Sequence, residues 1–287
     1  MLKYFAQTAE EGNITRAAQK LHVTQPTMSK QLKDLETELG VKLFTRSNYS
    51  IKLTQAGELL KKRAEDILSL AAKTKDEFKT MDDGFTGNIY VGCPESQSIR
   101  YFAKAFKTLR VKYPKICCHI YSGNRREVTE KLDKGILDFA LLSAGENSGK
   151  YTSIELPFKD SWGLVMPRTS PLAKKKYILT EELQNIPLIC SRQWIEQDMH
   201  KWFGKNTDKL NIAGTYNLAY NAAILAKEGL GYVLTYDELV NTSKGSKLCF
   251  RPVKNVPEAK MYIIWKKDQK FSQAAGLMLA ELKKRFR

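Results

Sequence analysis

The stretch from Ile14 to Lys33, ITRAAQKLHVTQPTMSKQLK, predicts two short helices joined by a tight turn. In the first helix, Ala17 and Ala18 begin an apolar stripe. The second helix follows Thr24, a residue type favoured at N-caps, and has Pro26 in its first turn, where a missing N–H costs nothing. Because the small alanines allow the two helices to cross closely, the pattern favours a helix-turn-helix.

The second predicted helix has one apolar and one polar face. Apolar residues recur at helical spacing and point inward, at Met28, Leu32, Leu35 and Leu39. The opposite face carries amide, hydroxyl and cationic side chains, at Gln25, Thr27, Ser29, Lys30 and Lys33. Base edges in the major groove bind amides and hydroxyls, and the flanking phosphates bind cations. This face is therefore either a DNA-recognition surface or the solvated side of a small helical hairpin.

The run YFAQTAEEGNITRAAQKLHVTQPTMSKQLKDLETELGVKLFTR, followed by LTQAGELL, resembles the amino-terminal region of LysR-type transcriptional regulators. The resemblance is continuous over most of the first sixty or so positions. It implies a winged helix-turn-helix domain over residues 1–57 that binds double-stranded promoter DNA. The DNA-binding residues predicted on its helices are Arg16, Lys20, Thr24, Gln25, Pro26, Thr27, Ser29, Lys30 and Lys33.

Residues 41–54 predict a β-hairpin wing. Gly40 stops the preceding helix, and apolar residues on either side of a polar tip alternate as strands do. Arg46, Ser50 and Lys52 lie at or near the tip. They are suited to phosphate or minor-groove contacts, and a merely solvated turn is the alternative.

From Thr54 to about Met81 the chain has no proline and one early glycine, which predicts a long helix. Its apolar residues recur near a three-four spacing and include Leu60, Ile67, Leu70 and Phe78. Such a helix is about 40 Å long and cannot bury its stripe within a small winged domain. The resemblance implies a linker helix over residues 58–83 that pairs subunits into a dimer or tetramer.

Beyond Gly84 short strands alternate with helices, which predicts βαβ units and a mostly parallel sheet. Two such sets follow one another, and LDKGILDFALL and NAAILAKEGLGYVLT match recurrent family patterns. The resemblance implies a bilobed, periplasmic-binding-protein-like effector domain over 84–287, with lobe 1 at about 84–163 and 266–287 and lobe 2 at about 164–265. The predicted fold class is α+β multidomain: an N-terminal winged helix-turn-helix, a long linker helix and a C-terminal bilobed α/β domain.

A ligand site is expected between the lobes, because ligands of open α/β sheets bind beyond the carboxyl ends of the strands. Ser96 and Ser98 stand at a helix start after the strand NIYVGC, where hydroxyls, free amides and the helix dipole favour an anion. The resemblance implies that hydroxyl residues there contact effector. Other strand ends and helix starts add candidates, namely Gly123, Asn124, Ser143, Cys190, Ser191, Asn217 and Thr235. Plain helix caps and loop polar residues are the alternative, and a small carboxylate or similarly anionic metabolite is the expected effector.

The chain has a formal net charge of +16, from 47 Lys or Arg and 31 Asp or Glu, which predicts a polyanionic partner or a cation-rich surface. Only eight Lys or Arg against five Asp or Glu fall in residues 1–57, so most of the excess lies further along. No apolar run approaches the roughly eighteen residues of a membrane span, and no signal segment is evident. A cytoplasmic protein without a membrane partner is expected, with RNA polymerase as a further partner.

No catalytic or metal-binding pattern is present. His22, His119 and His200 lie far apart without HExxH spacing, and neither GxSxG nor GxxxxGK[ST] occurs. No enzyme activity, metal or cofactor is therefore expected. The five cysteines include no CxxC pair and are predicted to be reduced core thiols.

Two other protein classes compete with a ligand-controlled regulator. A transport-type solute-binding protein fits the second part of the chain, but not the predicted DNA-reading helices. An architectural DNA binder fits the first part, but needs no bilobed α/β domain. Deletion of residues 84–287 discriminates, because an architectural protein would keep its behaviour and a regulator would lose its response.

Overall fold

The structure is a computed structural model that describes residues 1–46, 51–79, 85–143, 149–257 and 259–286. The chain forms two compact units, Met1–Lys79 and Thr80–Arg287. Residues 58–79, expected to form a separate linker segment, belong to the first unit, because Ala64 is completely buried in the core of that unit.

The described part of the first unit contains α1 (Leu2–Glu11), α2 (Ile14–Lys20), α3 (Gln25–Leu39), β1 (Phe44–Arg46), β2 (Ile51–Leu53) and α4 (Gln55–Lys79). Gly12 and Gly40 end α1 and α3 with φ of 58° and 68°, a left-handed conformation that glycine adopts without a side-chain clash. Asn13 and Thr24 begin α2 and α3, and each side-chain oxygen accepts a hydrogen bond from a backbone N–H three residues later. The turn between α2 and α3 thus lies where the sequence predicted it.

The core of the first unit joins the helix-turn-helix to the wing and to the start of α4. Phe5, Ala17 and Met28 are completely buried there. Gly57, in the first turn of α4, lies so close to the wing that a Cβ would come within 2.2 Å of the Leu43 carbonyl oxygen. Glycine at this position therefore allows α4 to pack directly against the wing backbone.

The second unit contains two mixed sheets and the helices that cover them. Its strands and helices are β3 (Gly87–Cys93), α5 (Ile99–Lys112), β4 (Ile116–Ser122), α6 (Arg125–Asp133), β5 (Phe139–Leu142), β6 (Tyr151–Asp160), β7 (Trp162–Pro167), β8 (Ile178–Leu179), β9 (Pro187–Ser191), α7 (Arg192–Gln197), α8 (Met199–Phe203), β10 (Asn211–Tyr216), α9 (Ala219–Lys227), β11 (Tyr232–Tyr236), β12 (Leu248–Lys254), β13 (Ala259–Lys266) and α10 (Gln273–Phe286). Short 3₁₀ turns lie at Pro171–Lys174, Thr180–Asn185 and Gly204–Lys209.

The first sheet has the strand order β4-β3-β5-β13-β6, with α5 and α10 packed on one face and α6 on the other. The second has the order β10-β9-β11-β7-β12-β8, with α7 and α8 on one face and α9 on the other. In each sheet three neighbouring strands run parallel, β4-β3-β5 and β10-β9-β11, so their carboxyl ends lie at one edge. This arrangement gives the two α/β lobes that the sequence predicted.

Two details of the second unit differ from the prediction. β13 pairs with β5 and β6, so residues 259–265 belong to lobe 1 and lobe 2 ends earlier than 265. The sheets are mixed because β7 and β13 each enter directly from the other lobe and run antiparallel to their neighbours. Alternation of helices and strands in the sequence reveals the parallel strands but not these returning ones.

Candidate functional site

The helices α2 and α3 present the predicted reading residues on one exposed face. Met28, Leu32 and Leu35 bury the inner side of α3 because they recur at helical spacing. The outer side is exposed, except for the partly buried Ser29, and consists of Thr24, Gln25, Pro26, Thr27, Ser29, Lys30 and Lys33. Neither Lys30 nor Lys33 forms an ion pair with a residue that the structure describes. Their charge is available to an external anion.

Hydrogen bonds fix the polar side chains in the first turn of α3. Gln25 Nε2 donates to Ser29 Oγ at 2.9 Å, one helical turn away. The hydroxyls of Thr24 and Thr27 lie 2.8 Å apart. An amide and three hydroxyls are thus held together at the surface, in the combination of donors and acceptors that reads base edges.

The cations of α2 are already partnered. Lys20 Nζ lies 2.6 Å from Glu11 Oε1, and Arg16 donates to the Glu11 backbone carbonyl at 2.9 Å. The hydrogen bond from Lys20 lowers the pKa of the Glu11 carboxyl. Because a phosphate must compete with Glu11 for both cations, Arg16 and Lys20 are less available than Lys30 and Lys33.

Glu36, near the end of α3, holds the base of the wing. Its Oε1 accepts the Leu43 backbone N–H at 2.8 Å, and its Oε2 lies 2.8 Å from Lys42 Nζ. Burial raises the pKa of Glu36, but the hydrogen bonds from Lys42 and Leu43 outweigh burial and the pKa is lowered. The wing is therefore fixed to the helix that carries the reading face.

The wing strands carry two of the three predicted wing contacts. Arg46, the last residue of β1, pairs through its backbone with Ile51, and Lys52 is exposed in β2. Ser50 lies outside the described residues. The two wing cations therefore border the tip from opposite strands.

The outer side of α4 is apolar and exposed. Ile67, Leu70 and Phe78 are 50%, 41% and 66% exposed, respectively. Leu60, which is half-buried, and Ile67 also line an open groove that continues over apolar residues of α1 and α3. Within the first unit, three of the four predicted dimerisation residues are thus left largely uncovered.

A cleft of about 420 Å³ lies between the two sheets of the second unit, at the carboxyl ends of the parallel strands. Six of the nine predicted effector residues line it, namely Gly123, Asn124, Ser143, Ser191, Asn217 and Thr235. They come from both lobes. The cleft therefore lies at the strand ends where a ligand site is expected.

Ser96, Ser98 and Cys190 do not line the cleft. Ser96 Oγ donates to Asp160 Oδ2 at 2.5 Å and lies 2.6 Å from Ser98 Oγ, and all three residues are buried. The Asp160 carboxylate thus occupies the helix start where the sequence placed an effector anion. Cys190 is completely buried, and burial raises the pKa of its thiol to about 12.

Sequence reasoning missed the aromatic and charged part of the wall, which includes Trp162, Trp194, Tyr216, Tyr236, Glu95, Arg126 and Arg192. Tyr216 and Tyr236 are the last residues of β10 and β11, and Arg126 and Arg192 lie in the first turns of α6 and α7. The small polar residues were selected because they lie at strand ends or helix starts, and the same rule selects these large side chains. Burial raises the pKa of both tyrosines above its ordinary value, so both hydroxyls keep their protons well into the alkaline range.

Among the hydrogen bonds between the lobes, two join a side chain of one lobe to a helix start of the other. Glu95 Oε2 accepts the backbone N–H of Ala219 at 2.6 Å, at the start of α9, which has no side-chain N-cap. Gln193 Oε1 accepts the backbone N–H of Arg125 at 3.0 Å. Both bonds use free amides of helix starts, so each lobe supplies a side chain that caps a helix of the other.

The charges on the cleft wall are unequally compensated. Glu127 caps its own helix, and Asp198 lies 2.8 Å from a lysine three residues further on. Within the described ranges Arg126 and Arg192, one from each lobe, form no ion pair, and Glu196 forms none either. Glu95, on the same wall, forms no ion pair with a described residue either, so the wall as a whole is not cationic. The two guanidinium groups are the part of it that suits an anion.

The described residues contain no group of three or more His, Cys, Asp or Glu that would hold a metal ion. None of the described helices combines the length and the apolar character that a bilayer crossing requires.

All five cysteines are free. Burial raises the pKa of Cys93 to about 11 and that of Cys118 to about 12, which disfavours the reactive thiolate. Cys117 is exposed on β4, so the prediction that all the thiols lie in the core is wrong there.

Two family profiles match the chain. The bacterial regulatory helix-turn-helix protein, lysR family, matches residues 1–58, and the LysR substrate binding domain matches residues 82–287. The chain is 29% identical over 275 residues to the Hca operon transcriptional activator HcaR of Escherichia coli (strain K12), covering 93% of this chain and 91% of that protein. It is 31% identical over 215 residues to a probable RuBisCO transcriptional regulator of Thalassiosira pseudonana, covering 74% and 69%.

Solved structures show the same fold. The crystal structure of CbnR, a LysR family transcriptional regulator, has a TM-score of 0.78 at 20% identity and covers 100% of this chain and 98% of that one. Full-length CbnR complexed with its target DNA has a TM-score of 0.76 at 21% identity, with 99% and 98% covered. At these identities the likeness establishes the fold alone and assigns no role to individual residues.

Proposed function

The chain belongs to the family of LysR-type transcriptional regulators, and we propose that it binds a partly palindromic promoter site as a dimer or tetramer and is switched by a small anionic effector between its two α/β lobes. As in its relatives, a helix-turn-helix domain binds DNA and a substrate-binding domain binds a small-molecule effector. It is a transcriptional regulator and not an enzyme. Contact with RNA polymerase and a cytoplasmic location are further parts of the proposal.

The DNA-reading part of the proposal rests on the exposed amide and hydroxyl groups of α3. Lysines that pair with no described carboxylate flank these groups, and Glu36 fixes the wing beside them. Gln25, Thr27 and Ser29 are proposed to contact base edges or thymine methyl groups. Cations at the edges of this face are proposed to contact phosphates, namely Lys30, Lys33, Arg46 and Lys52, with Arg16 and Lys20 as weaker contacts and Ser50 at the wing tip.

Gln25→Ala should weaken specific binding far more than nonspecific binding. Removal of a good base contact costs about 1–3 kcal/mol of discrimination, which is roughly 5- to 150-fold in affinity. Promoter sites selected by the wild-type protein from a random DNA library, and scrambled duplexes of the same length, can be compared by fluorescence anisotropy. Gln19→Ala, at an exposed glutamine on α2, is the matched control. Equal losses on selected and scrambled DNA would exclude base reading by Gln25.

The dimer part of the proposal rests on the exposed apolar side of α4. Leu60, Ile67, Leu70 and Phe78 are proposed to pack against the same helix of a second copy. The spacing of these residues repeats along one side of the helix, as in a helix-helix seam. A second copy is the occupant because subunit pairing places two reading helices on two half-sites.

The effector part of the proposal rests on Arg126 and Arg192, which approach the same cleft from opposite lobes without a carboxylate partner among the described residues. A carboxylate between them would gain charge-assisted hydrogen bonds to each lobe. The six predicted wall residues are proposed to contact the rest of the ligand. Ser96, Ser98 and Cys190 are proposed to support the wall from behind.

A variant with Arg126→Ala and Arg192→Ala should lose binding of anionic ligands. A panel of benzoate, succinate and other small carboxylates, each beside its neutral amide, can be titrated against the full-length protein. Tryptophan fluorescence is a direct readout because Trp162 and Trp194 line the cleft. For any carboxylate that binds, removal of each charge-assisted hydrogen bond is worth about 1.5–3 kcal/mol, or roughly 10- to 150-fold.

A variant with Lys174→Ala and Lys176→Ala, which removes two exposed charges outside the cleft, is the control and should bind the same carboxylates as the wild type. DNA binding without ligand should be unchanged in both variants. If the neutral amides bind as tightly as the acids, or if the double variant keeps its affinity, the effector is not held as an anion by these two arginines.

A further inference from the structure

Most of the positive charge lies outside the DNA-reading unit. Residues 80–287 hold thirty-three Lys or Arg against twenty-one Asp or Glu, whereas residues 1–79 hold fourteen against ten. The effector cleft accounts for two of these cations. The unit that is not expected to read DNA thus carries the larger excess, and effector binding does not explain it.

Much of the excess is concentrated on α5, whose sequence IRYFAKAFKTLRVK contains five cations and no acid. Phe102, Ala105 and Leu109 bury one side of this helix against the first sheet. Three lysines are exposed on the outer side, at Lys104, Lys107 and Lys112. Like charges three residues apart on a helix, as at Lys104 and Lys107, repel one another, so this pair does not stabilise α5.

The basic end of α10 extends the same surface. Arg285 Nη2 donates to Thr108 Oγ1 at 2.7 Å, and the rings of Phe286 and Tyr101 lie 5.8 Å apart. Since Tyr101 and Thr108 flank Lys104 on α5, the last turn of α10 lies beside the exposed lysines. We call the combined surface the basic face; it consists of Lys104, Lys107, Lys112, Lys284 and Arg285.

Acidic side chains neutralise little of the positive charge on the basic face. Arg285 lies 3.2 Å from Glu281 Oε1. The four lysines of the face form no ion pair with any described residue. Charge without an internal partner, repeated on two packed helices, fits an external polyanion.

We propose that the basic face is a second DNA-binding surface that contacts backbone phosphates irrespective of sequence. Lys104 and Lys112 are about 12 Å apart along the helix, and duplex DNA presents one charge per about 1.7 Å of its axis, so several phosphates fit this row. Flexible lysines suit such contacts better than base reading. DNA is favoured because the same chain already holds a duplex, which raises its local concentration. An acidic protein is the competing partner, because the apolar side chain of Val111, exposed on the same side of α5, suits a protein surface better than a phosphate backbone.

The test is the salt dependence of DNA affinity for the full-length chain with Lys104→Ser, Lys107→Ser and Lys112→Ser combined. Binding to a long fluorescent duplex of mixed sequence needs neither the promoter site nor the effector. Removal of one lysine–phosphate pair should reduce the slope of log affinity against log salt by about 0.9. The matched control combines Lys174→Ser, Lys176→Ser and Lys205→Ser, which removes the same charge from exposed positions in the other lobe.

The proposal predicts that the slope of log affinity against log salt is flatter for the α5 variant and unchanged for the control. It also predicts the wild-type slope when the same three lysines are replaced by arginine. Equal slopes for the wild type and both variants would overturn it. Equal flattening in both variants would also overturn it, in favour of a net-charge effect. A slope that stays unchanged while binding of an acidic protein falls would assign the face to a protein partner. Wild-type protein that fails to bind any duplex would instead refute the DNA-binding function itself.

Discussion

A protein with Ile67→Glu and Leu70→Glu is expected to sediment as a monomer and to lose nearly all affinity for its promoter site. Both side chains are about half exposed on one side of α4, at 50% and 41%. In a paired helix they would be buried, and unpaired charge in a buried seam costs several kcal/mol. A monomer engages only one half-site and loses the roughly 10²- to 10⁴-fold advantage of linked binding.

Sedimentation velocity and anisotropy on the promoter site measure the two effects. The control places the same two charges at the same spacing on the opposite side of α4, as Ser69→Glu and Ala72→Glu, both at exposed positions. This control should remain dimeric and bind DNA. A test variant that still sediments as a dimer would place the subunit contact in the effector domain.

The first unit was predictable because its signals are local. Gly12, Thr24 and Gly40 mark helix ends through their own backbone conformation or cap, and each acts within a few residues. Met28 and Leu32 mark the buried side by spacing alone. The anchor of the wing is harder to predict, because the Glu36 carboxylate accepts the Leu43 amide seven residues away and no local pattern marks that pairing.

The second unit was predictable in outline only. The strand-end rule located the cleft, since it depends on sheet direction and not on exact partners. It does not account for the position of Ser96 off the cleft wall, because Asp160, the acceptor of its hydroxyl, is 64 residues away along the chain. The pairing of Glu95 with Ala219 spans 124 residues. Such contacts depend on the packing of two lobes, which no local pattern encodes.

Asp160→Asn is expected to stabilise the effector domain at neutral pH and to flatten its pH dependence. Asp160 is 5% exposed, and burial raises its pKa to about 6, although Ser96 and the Gln97 backbone N–H donate to it and Arg100 lies nearby. The folded state therefore holds a proton between about pH 4 and 6 that the unfolded chain has released. Stability falls as the pH rises through that window.

Two pKa units correspond to about 3 kcal/mol, so the loss above pH 6 is of that order. Asparagine carries no charge to desolvate and keeps one acceptor oxygen, so the variant should gain part of this amount at pH 7. At pH 4, where the wild-type carboxyl is protonated, the two proteins should have nearly equal stability. The difference between them should grow as the pH rises.

Urea unfolding followed by tryptophan fluorescence measures this difference in the effector domain alone, because all four tryptophans, Trp162, Trp194, Trp202 and Trp265, lie in the second unit. Asp208→Asn removes an exposed carboxylate from the same unit and should leave the pH profile unchanged. If Asp160→Asn instead lowers stability equally at pH 4 and pH 7, the carboxyl has the same charge at both pH values, and its hydrogen bond with Ser96 outweighs its desolvation.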